Sequence, residues 1–272
     1  MTALDGIKSW PVGDVSAGWV SLDGKRNVAG ESDLEFPLAS VTKPLFAYAV
    51  LIAIEEGTLG LDDPAGPPGS SIRHLLAHAS GLGDDPDQPI NAVGTRRIYS
   101  NGAYELLGVR LADASGMSAA DYAREAVVEP LGLAKTSLEG SPAHGATSTV
   151  DDLLAVAAEW LAPTLVSTAT MDAARSAQFG ELAGVLPGYG RQDPNPWGLG
   201  FELKGSKVPH WTGATNSPAT FGHFGRAGTF IWIDPNAGVG CVALTDETFG
   251  PWAIERWPAL SDAVVAEAAE RR

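Results

Sequence analysis

The chain has 272 residues, with 33 acidic against 18 basic side chains and a net charge of −15. At roughly 150 residues per domain this length allows one large domain or two modest lobes, and 44% hydrophobic residues argue against a disordered chain. The acidic balance argues against nucleic acid and against an anionic membrane surface, since both would repel it.

Residues 15–20 and 26–29 read as short strands flanking Asp23-Gly24, a hairpin signal. Residues 40–56 read as an apolar helix ending at Gly57. The stretch 58–185 is helix and loop. Its short helix at 70–78 is stopped by Ser80-Gly81. A longer one at 102–114 carries Tyr104, Leu107 and Leu111 on one stripe and ends at Gly116. Ser118 to Asp121 and Thr149 to Asp152 have the [ST]-x-x-[DE] pattern of reciprocal helix caps. Strands return at 229–233 and 239–244, joined by a turn at Asp234-Pro235, and residues 260–270 form a final helix. These elements predict an α/β (α+β) fold. An antiparallel sheet built from both termini is flanked by helices and carries an inserted, mainly helical lobe. The predicted division is 1–57 with 186–272 for the α/β lobe and 58–185 for the helical lobe, with a ligand cleft between them.

The single cysteine, Cys241, lies in an apolar run and is expected to pack there without an internal disulfide. The first residues lack a basic region followed by an apolar one, and no run of 18 apolar residues exists. The expected compartment is the cytoplasm, with no membrane association.

Three motifs carry chemistry. In Ser40-Val41-Thr42-Lys43 the serine and lysine are three apart, which at a helix start puts them on one face. A serine needs an adjacent base, and a lysine serves once burial or a nearby cation lowers its pKa. The other reading is a capping serine and a solvated lysine. In Tyr99-Ser100-Asn101 the phenol can relay a proton and the amide can orient a lysine and a carbonyl, unless Asn101 merely caps the following helix. Gly222-His223-Phe224-Gly225-Arg226 precedes a strand; its glycines permit close approach to a ligand and a backbone N–H for an oxyanion, or it is a plain glycine-rich turn.

Taken in order, S-x-x-K, Y-x-N and H-x-G resemble the serine β-lactamase and penicillin-binding-protein superfamily, whose motifs are S-x-x-K, S-D-N and K-T-G. The Tyr-x-Asn form is similar to the class C branch, which includes family VIII carboxylesterases and D-stereospecific peptidases. Arg73 to Leu82, Tyr99 to Gly108, Glu129 to Leu133 and Trp197 to Phe201 resemble further segments of that branch. The resemblance implies Ser40 as the acylated nucleophile and Lys43 as its base, with Tyr99 sharing the proton relay. Asn101 would orient Lys43 and the substrate. It also implies an oxyanion hole from the N–H groups of Ser40 and Arg226, with His223 in place of the family's lysine and Gly225 beside it.

His223 and Phe224 replace the lysine and hydroxyl that read a carboxylate in K-T-G, and Arg226 compensates only if its side chain turns into the cleft. A serine hydrolase of esters or amides is therefore expected ahead of β-lactamase or D-amino-acid peptidase activity. A non-catalytic binding protein on the same fold is the alternative. Small-molecule esters, amides or β-lactams are the expected partners, and no cofactor or metal is implied. His74 and His78 are read as structural, with His78 holding the Ser80-Gly81 turn. Asp84, Asp85 and Asp87 are read as a solvated loop rather than a calcium site. The walls of the substrate pocket are expected from 83–91 and 184–196, with Trp197 bordering the cleft.

Overall fold

The computed structural model describes residues 2–270. The Asp23-Gly24 signal does form a hairpin, joining β1 (Val15–Ser21) to β2 (Arg26–Ala29). A short strand β3 (Phe36–Pro37) leads to one 3₁₀ turn, Ala39–Val41, and then α1 (Thr42–Glu55). Helix α1 is buried on every side through Ala53, as an apolar helix without a polar face must be.

Beyond it lie α2 (Ile72–Leu76), shorter than expected, α3 (Asn101–Ser115) and α4 (Ala119–Ala123). Strand β4 (Thr147–Ser148) pairs with β3, and α5 (Val150–Leu161) and α6 (Thr168–Ala174) follow. Both cap signals work through the hydroxyl, since Ser118 accepts from the Asp121 N–H and Thr149 from the Asp152 N–H. The return bond of a full box does not form at Thr149. There Asp152 instead accepts from the Lys135 N–H and the Thr136 hydroxyl, each at 2.8 Å.

A small hairpin, β5 (Gly184–Leu186) with β6 (Gly190–Gln192), precedes the strands of the main sheet. These are β7 (Glu202–Leu203), β8 (Phe221–Gly225), β9 (Thr229–Asp234) and β10 (Val239–Thr245). Helix α7 (Pro251–Glu270) closes the chain and begins nine residues before the expected 260.

The main sheet is antiparallel with the order β2-β1-β10-β9-β8-β7. Residues from the two ends of the sequence therefore pair directly, Trp19 opposite Cys241. Side chains alternate between faces. Ala17, Trp19, Phe230, Trp232 and Cys241 meet α7 and the N-terminal turn that carries Leu4 and Ile7. Val20, Ile231, Ile233 and Val242 meet α1 and α5 on the other face. Helix α5 packs on β10 and β1, although 58–185 assigns it to the helical lobe. The reason is local: β1 is glycine at position 18, where a Cβ would stand 2.7 Å from Leu154, so the helix can lie close.

Candidate active site

Ser40 lies in the 3₁₀ turn that leads into α1. Ala39 before it has φ +46°, a left-handed value that costs a non-glycine residue about 1–2 kcal/mol. Such strain clusters where a side chain must be presented in one orientation. Lys43, at the start of α1, is 0% exposed. Its amine is 2.7 Å from Asn101 Oδ1, 2.9 Å from the Ala143 carbonyl and 3.5 Å from Ser40 Oγ. Burial pushes the Lys43 pKa down to about 7, against a weaker upward pull from Asp84 and Glu105.

Asn101 is the first residue of α3, but it is not the cap. The Ser100 hydroxyl accepts from the Ala103 N–H at 2.8 Å, which leaves Asn101 free to hold Lys43 through Oδ1. Its Nδ2 donates to Asp84 at 2.9 Å, and this fixes which way the amide faces. Asp84 thus holds Asn101 from an exposed loop, as the solvated reading of that loop expects.

The phenol of Tyr99 is buried with no hydrogen-bond partner. Burial raises its pKa well above the usual tyrosine range, and the Ser40 hydroxyl beside it counteracts this only in part. Tyr99 is therefore a neutral donor. The Lys43 amine lies 4.6 Å from the centre of its ring.

His78, with φ +54°, accepts the Ser100 N–H on Nδ1 at 3.1 Å. It therefore holds the Tyr99–Asn101 segment, not the Ser80-Gly81 turn. Arg97, also buried, donates to the carbonyls of Ala77, Gln178, Phe179 and Asn195. It ties three loops together behind Tyr99.

The third motif forms β8, whose end abuts the Ser40 turn. A Cβ on Gly225 would stand 2.3 Å from the Leu38 carbonyl oxygen and 3.3 Å from Ala39 Cβ, so only glycine permits the approach. The Thr229 hydroxyl donates to that same Leu38 carbonyl at 2.9 Å. Among the described residues no acceptor takes the backbone N–H of Ser40 or of Arg226. His223 is buried between Tyr99 and Trp197, its ring centre 5.7 Å and 5.4 Å from theirs.

These residues line one cavity of about 370 Å³. Ser40, Tyr99, Asn101, His223 and Arg226 are joined there by Trp197 and by an apolar wall of Leu186, Phe224 and Phe249. The 184–196 segment supplies wall residues as expected. The 83–91 loop does not, and touches the site from behind, through Asp84 and through the Gly83 carbonyl, which accepts from the Ser100 hydroxyl and the Gly102 N–H. Four contributions escape sequence reasoning: the Ala143 carbonyl, Phe249, the Arg97 tie and Glu202. The last is a cavity-lining carboxylate whose oxygens accept from Lys207, from His210 Nε2 at 3.0 Å and from Trp211 Nε1 at 2.8 Å. A backbone carbonyl leaves no mark in a sequence. Glu202 lies in a two-residue strand that shows no periodicity.

A serine, a buried amine, a phenol and an amide thus meet at one cavity between the main sheet and the helical segment. The family model described as Beta-lactamase matches residues 3–264. The chain belongs to that family. A solved β-lactamase from Mycobacterium bovis is 51% identical, with TM-score 0.96 over 98% of this chain and 99% of that one. Penicillin-binding protein 4* of Bacillus subtilis is 32% identical over 154 residues, 44% of this chain and 34% of that protein. Esterase EstB of Burkholderia gladioli is 43% identical over 65 residues, 19% of this chain and 17% of that protein. The chain thus matches only about a third or less of these two relatives' lengths.

Proposed function

We propose that the chain is a serine hydrolase that cleaves an ester or amide through an acyl-enzyme on Ser40. The observation that carries this reading is the hydrogen bonding of Lys43. A neutral amine has two N–H bonds and one lone pair. The carbonyls of Asn101 and Ala143 take the two N–H bonds, and the remaining direction faces Ser40 Oγ.

In the proposed reaction Lys43 takes the Ser40 proton as Oγ bonds to the substrate carbonyl carbon. The oxyanion that forms is met by the N–H groups of Ser40 and Arg226. Tyr99, a phenol rather than a phenolate, gives its proton to the leaving group and is reprotonated from Lys43. Water then attacks the acyl-enzyme with the same groups acting in reverse. Asn101 holds Lys43, Gly225 allows β8 to close on the nucleophile, and His223 forms the wall beyond it.

Ser40→Ala tests the reading. Hydrolysis of p-nitrophenyl acetate should fall by at least about 10³-fold, as for loss of a nucleophile acting in a unit; turnover at the wild-type rate rejects Ser40. Hydrolysis of a β-lactam is a second reading, favoured by the 51% identity to the M. bovis β-lactamase, and nitrocefin read against the same variant checks it. A D-Ala-D-Ala peptide belongs in the same panel, because penicillin-binding protein 4* is among the relatives.

Among the described residues no helix is long and apolar enough to cross a membrane. The two-lobed division and the cytoplasmic compartment are part of the proposal, and cell fractionation checks the latter.

A further inference from the structure

The two oxygens that take the N–H bonds of Lys43 are themselves held, and each by a carboxylate. Asn101 Oδ1 is turned to the amine because Asn101 Nδ2 donates to Asp84 at 2.9 Å. The Ala143 carbonyl is fixed through the N–H of the same residue. That N–H donates to the Ser141 hydroxyl at 3.1 Å, and the hydroxyl donates to Glu105. The turn that carries Ala143 is closed as well, since the N–H groups of His144 and Gly145 both donate to the Ser141 carbonyl, at 3.1 Å and 2.8 Å. A Cβ on Gly145 would stand 2.2 Å from the Ser141 nitrogen, so the turn closes only with glycine there.

One helix face organises both arms. Asn101, Glu105 and Gly108 lie at i, i+4 and i+7 of α3, a single stripe. Asn101 meets Lys43 directly. Glu105, one turn on, meets Ser141. At Gly108 a Cβ would stand 2.8 Å from Pro142 Cγ, so the missing side chain admits the turn. Asp84 reaches Asn101 from the loop before α3. Asp84 and Glu105 are also the carboxylates that pull on the Lys43 charge. The other titratable groups around the amine are buried and uncharged. They are His78 and His223, whose pKa values are lowered by burial and by Lys43 itself, and the phenols of Tyr99 and Tyr104.

We propose that Asp84 and Glu105 are positioning residues for the Lys43 amine: through Asn101 and through the Ser141–Ala143 turn they fix the two oxygens that take its N–H bonds, and so aim its lone pair at Ser40. A neutral amine without fixed acceptors turns about its Cε–Nζ bond, and its lone pair then meets the Ser40 hydroxyl only part of the time; fixed acceptors keep the reacting atoms in register. The same two charges have an opposing effect, because each favours the protonated amine. Geometry and charge are separable here. An amide of the same shape retains an oxygen for the hydrogen bond and removes the charge. The proposal rests on the serine-hydrolase reading, with Lys43 as the base, and adds the groups that aim that base.

The pH profile of kcat/KM for p-nitrophenyl acetate tests this, together with the plateau kcat and a direct titration of Lys43 Cε by carbon NMR. In Glu105→Gln and in Asp84→Asn the rising limb and the NMR midpoint should move down together, by roughly half a pH unit at low salt, since a charge acting across an intervening turn or amide is weaker than one in contact. Ser141→Ala keeps both charges and removes the link. Its plateau kcat should fall by about tenfold, the worth of one hydrogen bond, with KM little changed. Glu105→Ala should lower the plateau as far as Ser141→Ala does, and the double variant no further, because both act through one carbonyl. Asp84 is exposed and Glu105 and Ser141 are half-buried, so these variants should fold. An upward move of the limb in the amide variants, as water entering a loosened core would give, overturns the proposal. So does a limb and midpoint that stay in place, or a Ser141→Ala plateau at wild-type height. Failure of the underlying reading looks different: Ser40→Ala turns over like the wild type, or the wild-type limb does not follow the Lys43 midpoint, and the proposal falls with it.

Discussion

Lys43 is a side chain that folding would ordinarily keep in water. In the proposed reaction its deprotonated form is the one that acts, so both the activity and the stability cost of burying it should depend on pH. With its pKa lowered from 10.5 to about 7 by burial, the amine becomes competent as pH rises through about 7. The value of kcat/KM should climb there and level off above, which a pH profile with p-nitrophenyl acetate reads. Lys43→Arg should be inactive across the range, since a guanidinium does not lose its proton. The stability effect has a definite sign. Below about pH 7 the lysine is protonated folded and unfolded, and the full burial cost applies. Between about 7 and 10.5 the unfolded chain holds a proton that the native chain has lost, so stability rises with pH. Wild-type stability relative to Lys43→Met should therefore increase by up to roughly 1.4 kcal/mol per pH unit in that window, measured by urea unfolding. A flat difference means that the lysine is not displaced. Ser40, Lys43, Tyr99 and Asn101 are singled out in the sequence by the ordered motifs of the family it resembles, each motif alone leaving a capping or structural reading open, and the structure brings the four together. What sets the lysine's behaviour is not legible: the Ala143 carbonyl is backbone, and the packing of the Tyr99 and Tyr104 rings around the amine is a property of the fold.

Between elements, the contact that assembles the site is β8 against the Ser40 turn. Gly225→Ala would press a methyl against the Leu38 carbonyl at 2.3 Å, so strand and turn must separate. A displacement of about 1 Å costs roughly 10²-fold when it moves an oxyanion donor away from a nucleophile. The variant should lose about that much kcat while its melting temperature falls by only a few degrees, the pattern expected of a misplaced donor. A full collapse of the melt, or unchanged kcat, contradicts this reading of Gly225. The same scale shows where element boundaries are hidden. Helix α7 runs nine residues further back than expected, with Pro258, a residue that ordinarily interrupts a helix, within its second turn. There Ala253 and Trp257 anchor the segment in the core, and tertiary burial outweighs the lost hydrogen bond. Conversely α2 stops at Leu76, ahead of the strained His78 that turns the chain toward Tyr99.

At the scale of the whole molecule, the feature legible from the pattern of elements is the closure of one sheet from both ends of the chain; the attachment of α5 to that sheet is not, since its apolar stripe fits either lobe. The strand order makes β1 an interior strand, paired with β2 on one side and β10 on the other, so the N-terminal segment is part of the core of both faces. Leu4, Ile7, Trp10, Trp19 and Val20 are all buried. At roughly 2 kcal/mol for each large side chain, losing them removes roughly 10 kcal/mol, of the order of a domain's entire stability. Deletion of residues 2–29 would also leave β10 with an open edge along its whole length, a template for aggregation. Although Ser40, Lys43, Tyr99, Asn101 and His223 all remain in such a chain, it should show no cooperative unfolding transition and should elute as aggregate in size-exclusion chromatography. A shorter deletion of residues 2–9, which spares β1 but removes Leu4 and Ile7 from beneath α7, should fold with a lowered melting temperature and retain esterase activity. A monodisperse, cooperatively melting protein from the longer deletion would mean that the sheet can close without its N-terminal strands, and that the site depends on β8 to β10 and the helical segment alone.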